Sequence, residues 1–366
     1  MKHCTTFVRL VADLPDPRRR RGCRFPWAML LWLIGAALVS GQLTPSAISQ
    51  WIGEHAESLR AIVGSRLPSD ATIRRTLQRV DVAALEACFR QPLPARSAGS
   101  REARALDGKA VRGAGTHGHP LHLVSEVCHG SGQVIQQQAV DMKSNEIPLV
   151  QHMLAGRDLR GLVFTTDALH TQRRTARSIV AQGGNYLMVV KENQPELYQA
   201  LSEWFAQPAW YGEQTEQVTT FTQGHGRHEW RTLERRAVVD LPWDWPGVQQ
   251  VMRRHTVADL VTTGQHREYV SFGLTSLPWQ QASAADLEHL WRGHWHIENK
   301  VHYVRDVTWR EDAGQSWIGN TAHALAALHN GLTNLLRQAG WTNIAAALRH
   351  FGADCHRALR FIGVLG

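Results

Sequence analysis

Apolar positions along this chain keep a helical period up to about residue 95, change to short runs between about residues 100 and 283, and return to helical spacing after Ser283. In the first stretch an unbroken apolar run, Pro26 to Val39, is followed by helical segments over Ser46 to Trp51 and Glu54 to Val63. After a break at Leu67-Pro68, Ser69 or Asp70 can cap a helix with Ile73, Leu77 and Val80 on one face and Arg75 and Arg79 on another. A Pro-, Ser- and Gly-rich stretch, Pro92 to Ser100, marks a boundary. Beyond it come three short strands, Arg104 to Leu106, Leu121 to Cys128 and Val134 to Val140, the last two joined by the hairpin loop His129-Gly-Ser-Gly-Gln. A helix over Ile147 to Ala155, a strand over Leu162 to Thr166, a helix over Thr171 to Ala181 and a strand over Tyr186 to Val190 complete an α/β pattern.

From Glu196 to Ser283 the pattern loosens. Val218 to Thr222, Arg231 to Val239, Val248 to His255 and Glu268 to Leu274 read as strands punctuated by prolines, a β-rich insertion. Ser283 with Asp286 makes a start signal resembling a capping box for the next helix, which carries Glu298. The apolar helical run Ala322 to Leu336 is expected to pack back on the α/β core, and the last 30 residues form a small basic tail module.

The run Pro26 to Val39 spans 14 residues, short of the roughly 20 needed to cross a bilayer, so it predicts a buried core helix rather than an anchor. The charged segment ahead of it is long for a signal peptide, and no clean small-residue cleavage site follows. Helix, turn and a second helix with arginines on its wet face is the outline of a helix-turn-helix reader, and equally of an ordinary helical bundle.

Charge sharpens this picture. Lys and Arg outnumber Asp and Glu by 40 to 32, the pI is about 9.6, and Arg18, Arg19, Arg20, Arg21 and Arg24 form a block suited to a polyanion. Five scattered cysteines without a C-x-x-C pair argue against a disulfide framework or a cysteine zinc site and fit a reducing cytoplasm.

Three acidic residues carry the chemistry. Asp107 and Asp167 each follow a short apolar run with the flanks of a buried strand, and Glu298 lies on a helix. Two strand-end aspartates and a helical glutamate, far apart in sequence but able to converge, make a hard oxygen site for Mg²⁺ or Mn²⁺ suited to phosphodiester chemistry. A zinc site from His294, Glu298 and His302 at i, i+4 and i+8, with His296 close by, lacks the H-E-x-x-H order and leaves both aspartates unexplained. Neither a G-x-x-x-x-G-K-[ST] loop nor a G-x-G-x-x-G turn is present, so no nucleotide cofactor is indicated.

Nearly the whole chain resembles the Asp-Asp-Glu transposases of bacterial insertion sequences, in the group containing the H-repeat-associated proteins. The likeness rests on Asp13-Leu-Pro-Asp-Pro-Arg-Arg-Arg-Arg-Gly, Leu67-Pro-Ser-Asp-Ala-Thr-Ile-Arg-Arg, Asp107-Gly-Lys-Ala-Val-Arg-Gly, Leu121-His-Leu-Val-Ser, Lys143-Ser-Asn-Glu-Ile-Pro, Gly183-Gly-Asn-Tyr, Lys191-Glu-Asn-Gln-Pro, and His294-Trp-His-Ile-Glu-Asn followed by Arg310-Glu-Asp. The resemblance implies a ribonuclease-H-like core with Asp107, Asp167 and Glu298 as catalytic metal ligands and an inserted β subdomain between the second and third carboxylates. It further implies hydrolysis at an element's 3′ end, attack of the freed 3′-hydroxyl on target DNA, and at least a dimer on double-stranded DNA.

Related transposases carry a Tyr, Arg, Glu, Lys series that falls here on Trp291, His294, Glu298 and Arg305; only the glutamate is kept in kind, and His294 supplies a cation only if protonated. Lys109, Arg112, Lys143, Lys191, Arg292 and Arg305, near the carboxylates or strand ends, are candidate phosphate contacts beside Arg18 to Arg21, Arg75 and Arg79. Trp243 and Trp245 could stack on bases. The expected organisation is a helical DNA-binding unit over 1–95, a catalytic core over 100–195 and 284–336, the insertion over 196–283 and the tail over 337–366. Two rival readings are a DNA-binding remnant or regulator without catalysis and a nuclease that cuts without joining.

Overall fold

The structure, a computed structural model, describes residues 6–19, 23–90, 101–116, 119–140, 146–224, 226–238, 244–313 and 318–365. Among the described residues six helices open the chain: α1 (Phe7–Val11), α2 (Trp27–Val39), α3 (Pro45–Glu54), α4 (Ala56–Val63), α5 (Asp70–Arg79) and α6 (Val82–Phe89). The apolar run is α2, and every residue of it except Ala28 is buried, as a helix without a polar face must be. Among the described residues no helix is long and apolar enough to cross a membrane. α5 buries Ile73, Thr76 and Leu77 and turns Arg75 and Arg79 to solvent, as its spacing predicts.

A nine-stranded sheet follows. β1 (Glu102–Thr116), β2 (His119–Cys128) and β3 (Val134–Ala139) form an antiparallel meander. α7 (Glu146–Leu154) leads to β4 (Leu162–Thr166), which runs parallel to β1, and α8 (Arg173–Ala181) leads to β5 (Asn185–Val190), parallel to β4. The order β3-β2-β1-β4-β5 is that of a ribonuclease-H-like core. β1 is longer than the sequence indicates: it continues through Asp107 to Thr116, because β2 supplies ladder partners along this length.

Two departures concern the insertion. Its first element is a helix, α9 (Pro195–Ala206), with proline in the first turn and Leu197, Leu201 and Phe205 buried at i, i+4 and i+8, a stripe the sequence reading passed over. Its four strands, β6 (Thr215–Gly224), β7 (Arg227–Ala237), β8 (Gln250–Leu260) and β9 (His266–Thr275), extend the core sheet, because β9 pairs with β5 from Leu187↔Thr275 to Val190↔Phe272.

α10 (Ala284–His294) starts at the Ser283–Asp286 capping box. α11 (Thr321–Gln338), α12 (Ile344–Gly352) and α13 (Cys355–Ile362) close the chain. In the tail, Leu348, Phe351, Leu359 and Ile362 share one core with α2 and with Leu328, Leu332 and Leu336 of α11. α11 also reaches the sheet, where Ala326 packs with Val111, Ala114 and Leu123, so it joins the terminal helices to the core sheet.

Candidate active site

Leu106 and Thr166 are the last paired residues of parallel strands β1 and β4, so Asp107 and Asp167 follow on the next level of the sheet. Neighbouring strands lie about 4.8 Å apart and residues at one level point to one face, so the aspartates meet without help from either loop. Ligand atoms of Asp107, Asp167 and His170 all lie within 4.8 Å of one another. Each aspartate is tied locally: Gly108 N–H donates to Asp107 Oδ1 at 2.8 Å, and His170 N–H donates to Asp167 Oδ1 at 3.1 Å. Burial pushes the Asp107 carboxyl up; His302 opposes this, the adjacent Asp167 charge adds to it, and the balance lies at about 6.

Glu298 arrives from the helix. After α10 the backbone passes Trp295 and enters π-helical turns at Glu298–His302 and Val304–Thr308, widened turns that recur at functional sites. His302 Nδ1 lies 3.0 Å from Glu298 Oε2 and 3.7 Å from Asp107 Oδ2, and ligand atoms of Asp107, Glu298 and His302 form a second group within 4.8 Å. Asp107 therefore belongs to both groups. The hydrogen bond with His302 holds the Glu298 carboxyl below its ordinary range. Along this stretch Trp291 is buried, Trp295 is 62 % exposed and the Glu298 side chain 57 %. Ile297 and Val301 take the inward side, packing with Ala105, Val127 and Val134.

Glu146 and His170 escaped the sequence reading. Glu146 Oε2 lies 3.1 Å from His170 Nε2, and the other oxygen 3.5 Å from His122 Nδ1. A Cβ at position 108 would collide with this carboxylate, which is why glycine follows Asp107. The signals were faint: Glu146 stands in Lys143-Ser-Asn-Glu-Ile-Pro, and His170 follows Asp167 by three residues.

The candidate phosphate contacts separate into groups. Arg18, Arg19, Arg24, Arg75 and Arg79 line one cleft of about 1060 Å³ with Ser69 and Thr72, so the basic block and the wet face of α5 meet. Within it Arg18 is held by Asp16 at 2.8 Å and lies over the Trp27 ring. Arg20, Arg21, Lys143 and Trp243 lie outside the described residues. Arg112, Lys191 and Arg292 are exposed.

Three of the candidate phosphate contacts are engaged by protein groups. Lys109 is buried with Nζ 2.5 Å from Asp306 Oδ1. Arg305 is 1 % exposed and held by Glu311 and Gln137. His294 bonds Thr165 Oγ1 at 3.0 Å, and burial holds its imidazole down at about 4, so it is uncharged at neutral pH. Trp245 is likewise a buried core residue, not a free stacking platform.

Residues 98–335 match the family described as Transposase DDE domain, and residues 8–91 match a domain described as DDE_Tnp_1-associated. The chain is 28 % identical over 342 residues to "Putative transposase YncI" of Escherichia coli O157:H7, covering 89 % of this chain and 86 % of that protein. It is 26 % identical over 350 residues to "H repeat-associated putative transposase YhhI" of Escherichia coli strain K12, covering 89 % of each.

Proposed function

This chain belongs to the transposase family with a DDE domain, and we propose that it is a metal-dependent DNA transposase that binds the ends of an insertion sequence, cuts there and joins the 3′ ends to target DNA. The observation that carries the reading is the meeting of Asp107 and Asp167 at one level of the sheet with Glu298 brought beside Asp107 by the π-helical turns. The donor set fits hard divalent cations: Asp107 shares one group of ligand atoms with Asp167 and another with Glu298, and burial, helped by the adjacent Asp167 charge, pushes the Asp107 carboxyl up. Asp107, Asp167 and Glu298 would hold Mg²⁺ or Mn²⁺, which when bound activates a water and stabilises the leaving oxygen.

The protein's own groups fix the geometry. Gly108 and His170 amides hold the aspartates and His302 holds Glu298, so the carboxylates are set before DNA arrives. In the first reaction a water oxygen bonds to phosphorus as the bond to the 3′ oxygen breaks; in the second the freed 3′-hydroxyl attacks a phosphodiester of the target and displaces its 3′ oxygen. The arginine cleft suits the duplex backbone, with Arg19, Arg75 and Arg79 as phosphate contacts and Arg20 and Arg21 continuing the block. Arg112, Lys191 and Arg292 are the exposed cations assigned to DNA nearer the core. The protein works in the cytoplasm as a dimer that pairs two element ends.

The test is purified protein with Mg²⁺ or Mn²⁺, DNA carrying the element's ends and a target plasmid. Cutting with joining is the expected result. Binding alone would make the chain a silent DNA-binding remnant, and cutting alone a nuclease.

A further inference from the structure

Each of the two ligand groups around Asp107 contains one histidine, and the three-carboxylate reading gives neither imidazole a place on the metal. His170 is 1 % exposed, and neither ring nitrogen makes a well-directed hydrogen bond among the described residues. Glu146 Oε2 nevertheless stands 3.1 Å from Nε2. A buried imidazole that faces one carboxylate and offers a nitrogen within 4.8 Å of ligand atoms of two more fits a metal-bound histidine with an orienting carboxylate. His302 belongs to the other group, with Asp107 and Glu298. Its side chain is 6 % exposed, and Nδ1 faces Glu298 and Asp107 together. From there the imidazole can reach a cation held between the two carboxylates as well as orient Glu298.

We propose that His170 and His302 are metal ligands, so that two cation positions share Asp107 and are each completed by a second carboxylate and an imidazole nitrogen. Asp167 and His170 complete one, Glu298 and His302 the other. Glu146 is the positioning residue for His170. This rests on the transposase reading and adds a preference to it. Mg²⁺ favours an all-oxygen octahedral shell with retained water, whereas imidazole favours first-row transition ions, so this mixed set takes Mn²⁺ ahead of Mg²⁺.

The experiment is pulsed electron paramagnetic resonance on the untagged full chain loaded with Mn²⁺, in a buffer without coordinating nitrogen, together with Mn²⁺ titration. The wild type is expected to show ¹⁴N couplings from directly bound imidazole, reduced in His170→Ala and in His302→Ala and absent in the double variant. Each single variant should weaken Mn²⁺ binding by about 10- to 100-fold, and Glu146→Gln should fall in the same range by releasing His170. Displacement of Mn²⁺ should need Mg²⁺ in about ten-fold excess or more. Tight Mn²⁺ binding by the wild type without ¹⁴N couplings would overturn the proposal and leave the three-carboxylate site standing. Couplings that survive in the double variant would overturn it too, by assigning the nitrogen elsewhere. No Mn²⁺ binding at all would remove both this proposal and the transposase reading beneath it.

Discussion

Arg305 places Nε and Nη2 at 2.8 and 2.7 Å from the same oxygen of Glu311, and both side chains are buried. Arg305 also donates through Nη1 to Gln137 of β3, and the other Glu311 oxygen lies 2.8 Å from His329 of α11. Seven residues beyond Glu298, this pair pins the end of the π-helical stretch to both the sheet and α11. Removing one partner leaves a buried charge without compensation, so Glu311→Gln is expected to cost about 3 to 5 kcal/mol in chemical denaturation. Burial alone would raise the Glu311 carboxyl; Arg305 and His329 more than reverse that and hold it at about 2, below the ordinary 4.5. Its contribution is therefore complete above about pH 4.5 and is lost as pH falls toward 2, and the variant should lose that part of the acid dependence. A full-strength Glu311→Gln protein with an unchanged acid limb would refute the assignment.

Arg305 also illustrates what the sequence could not convey. Strand β4 and the start of α10 were legible because a buried run bounded by breakers and a capping box are local signals. Asp107, Asp167 and Glu298 were legible as types in context. Whether an arginine near them is wet or buried depends on Glu311 and Gln137, the latter 168 residues away, and no spacing rule reports that. Which residues beside Glu298 face inward was not legible for a different reason: helical spacing assumes 3.6 residues per turn, and the π-helical turns depart from that period. The packing of the tail on α2 was not legible because α2 lies at the other end of the chain.

Asp107 and Asp167 repel each other in a partly buried place, so the site is built at the expense of stability. Asp107→Asn removes one charge and keeps the shape. The metal-free variant is expected to melt above the metal-free wild type, by a few degrees for each kcal/mol relieved. Mn²⁺ should raise the melting temperature of the wild type by linkage and leave the variant nearly unmoved. Calorimetry with and without the ion measures both effects, and equal metal-induced shifts in the two proteins would place the cation elsewhere.

The arginine cleft makes a separate claim on DNA. Arg75→Ala and Arg79→Ala should each weaken binding to the element's ends and lower the slope of log K against log salt by about one unit for each phosphate that is no longer neutralised. Arg305→Lys, inside the buried pair, should leave that slope unchanged. Fluorescence anisotropy at several salt concentrations separates the cases. Equal slopes in the wild type and both α5 variants would exclude the cleft as a surface for the DNA backbone.

The last question is which helical acid completes the site. Asp306 is taken up by Lys109, Glu311 by Arg305 and His329, and Asp312 accepts from the Arg112 amide at 3.1 Å and lies 4.0 Å from Lys109 Nζ. Glu298 is held by no cationic Lys or Arg among the described residues; its partner is His302, which faces Asp107 as well. A carboxylate already neutralised by a buried cation is poorly placed to bind another, and a half-exposed one beside Asp107 is well placed. Glu298→Gln keeps the shape and removes the charge, so cutting and joining should fall by orders of magnitude while affinity for the element's ends stays within about two-fold. Asp306→Asn should act instead through stability, by freeing buried Lys109, and retain cutting per folded molecule. Activity retained in Glu298→Gln and lost in folded Asp306→Asn would transfer the third ligand to Asp306.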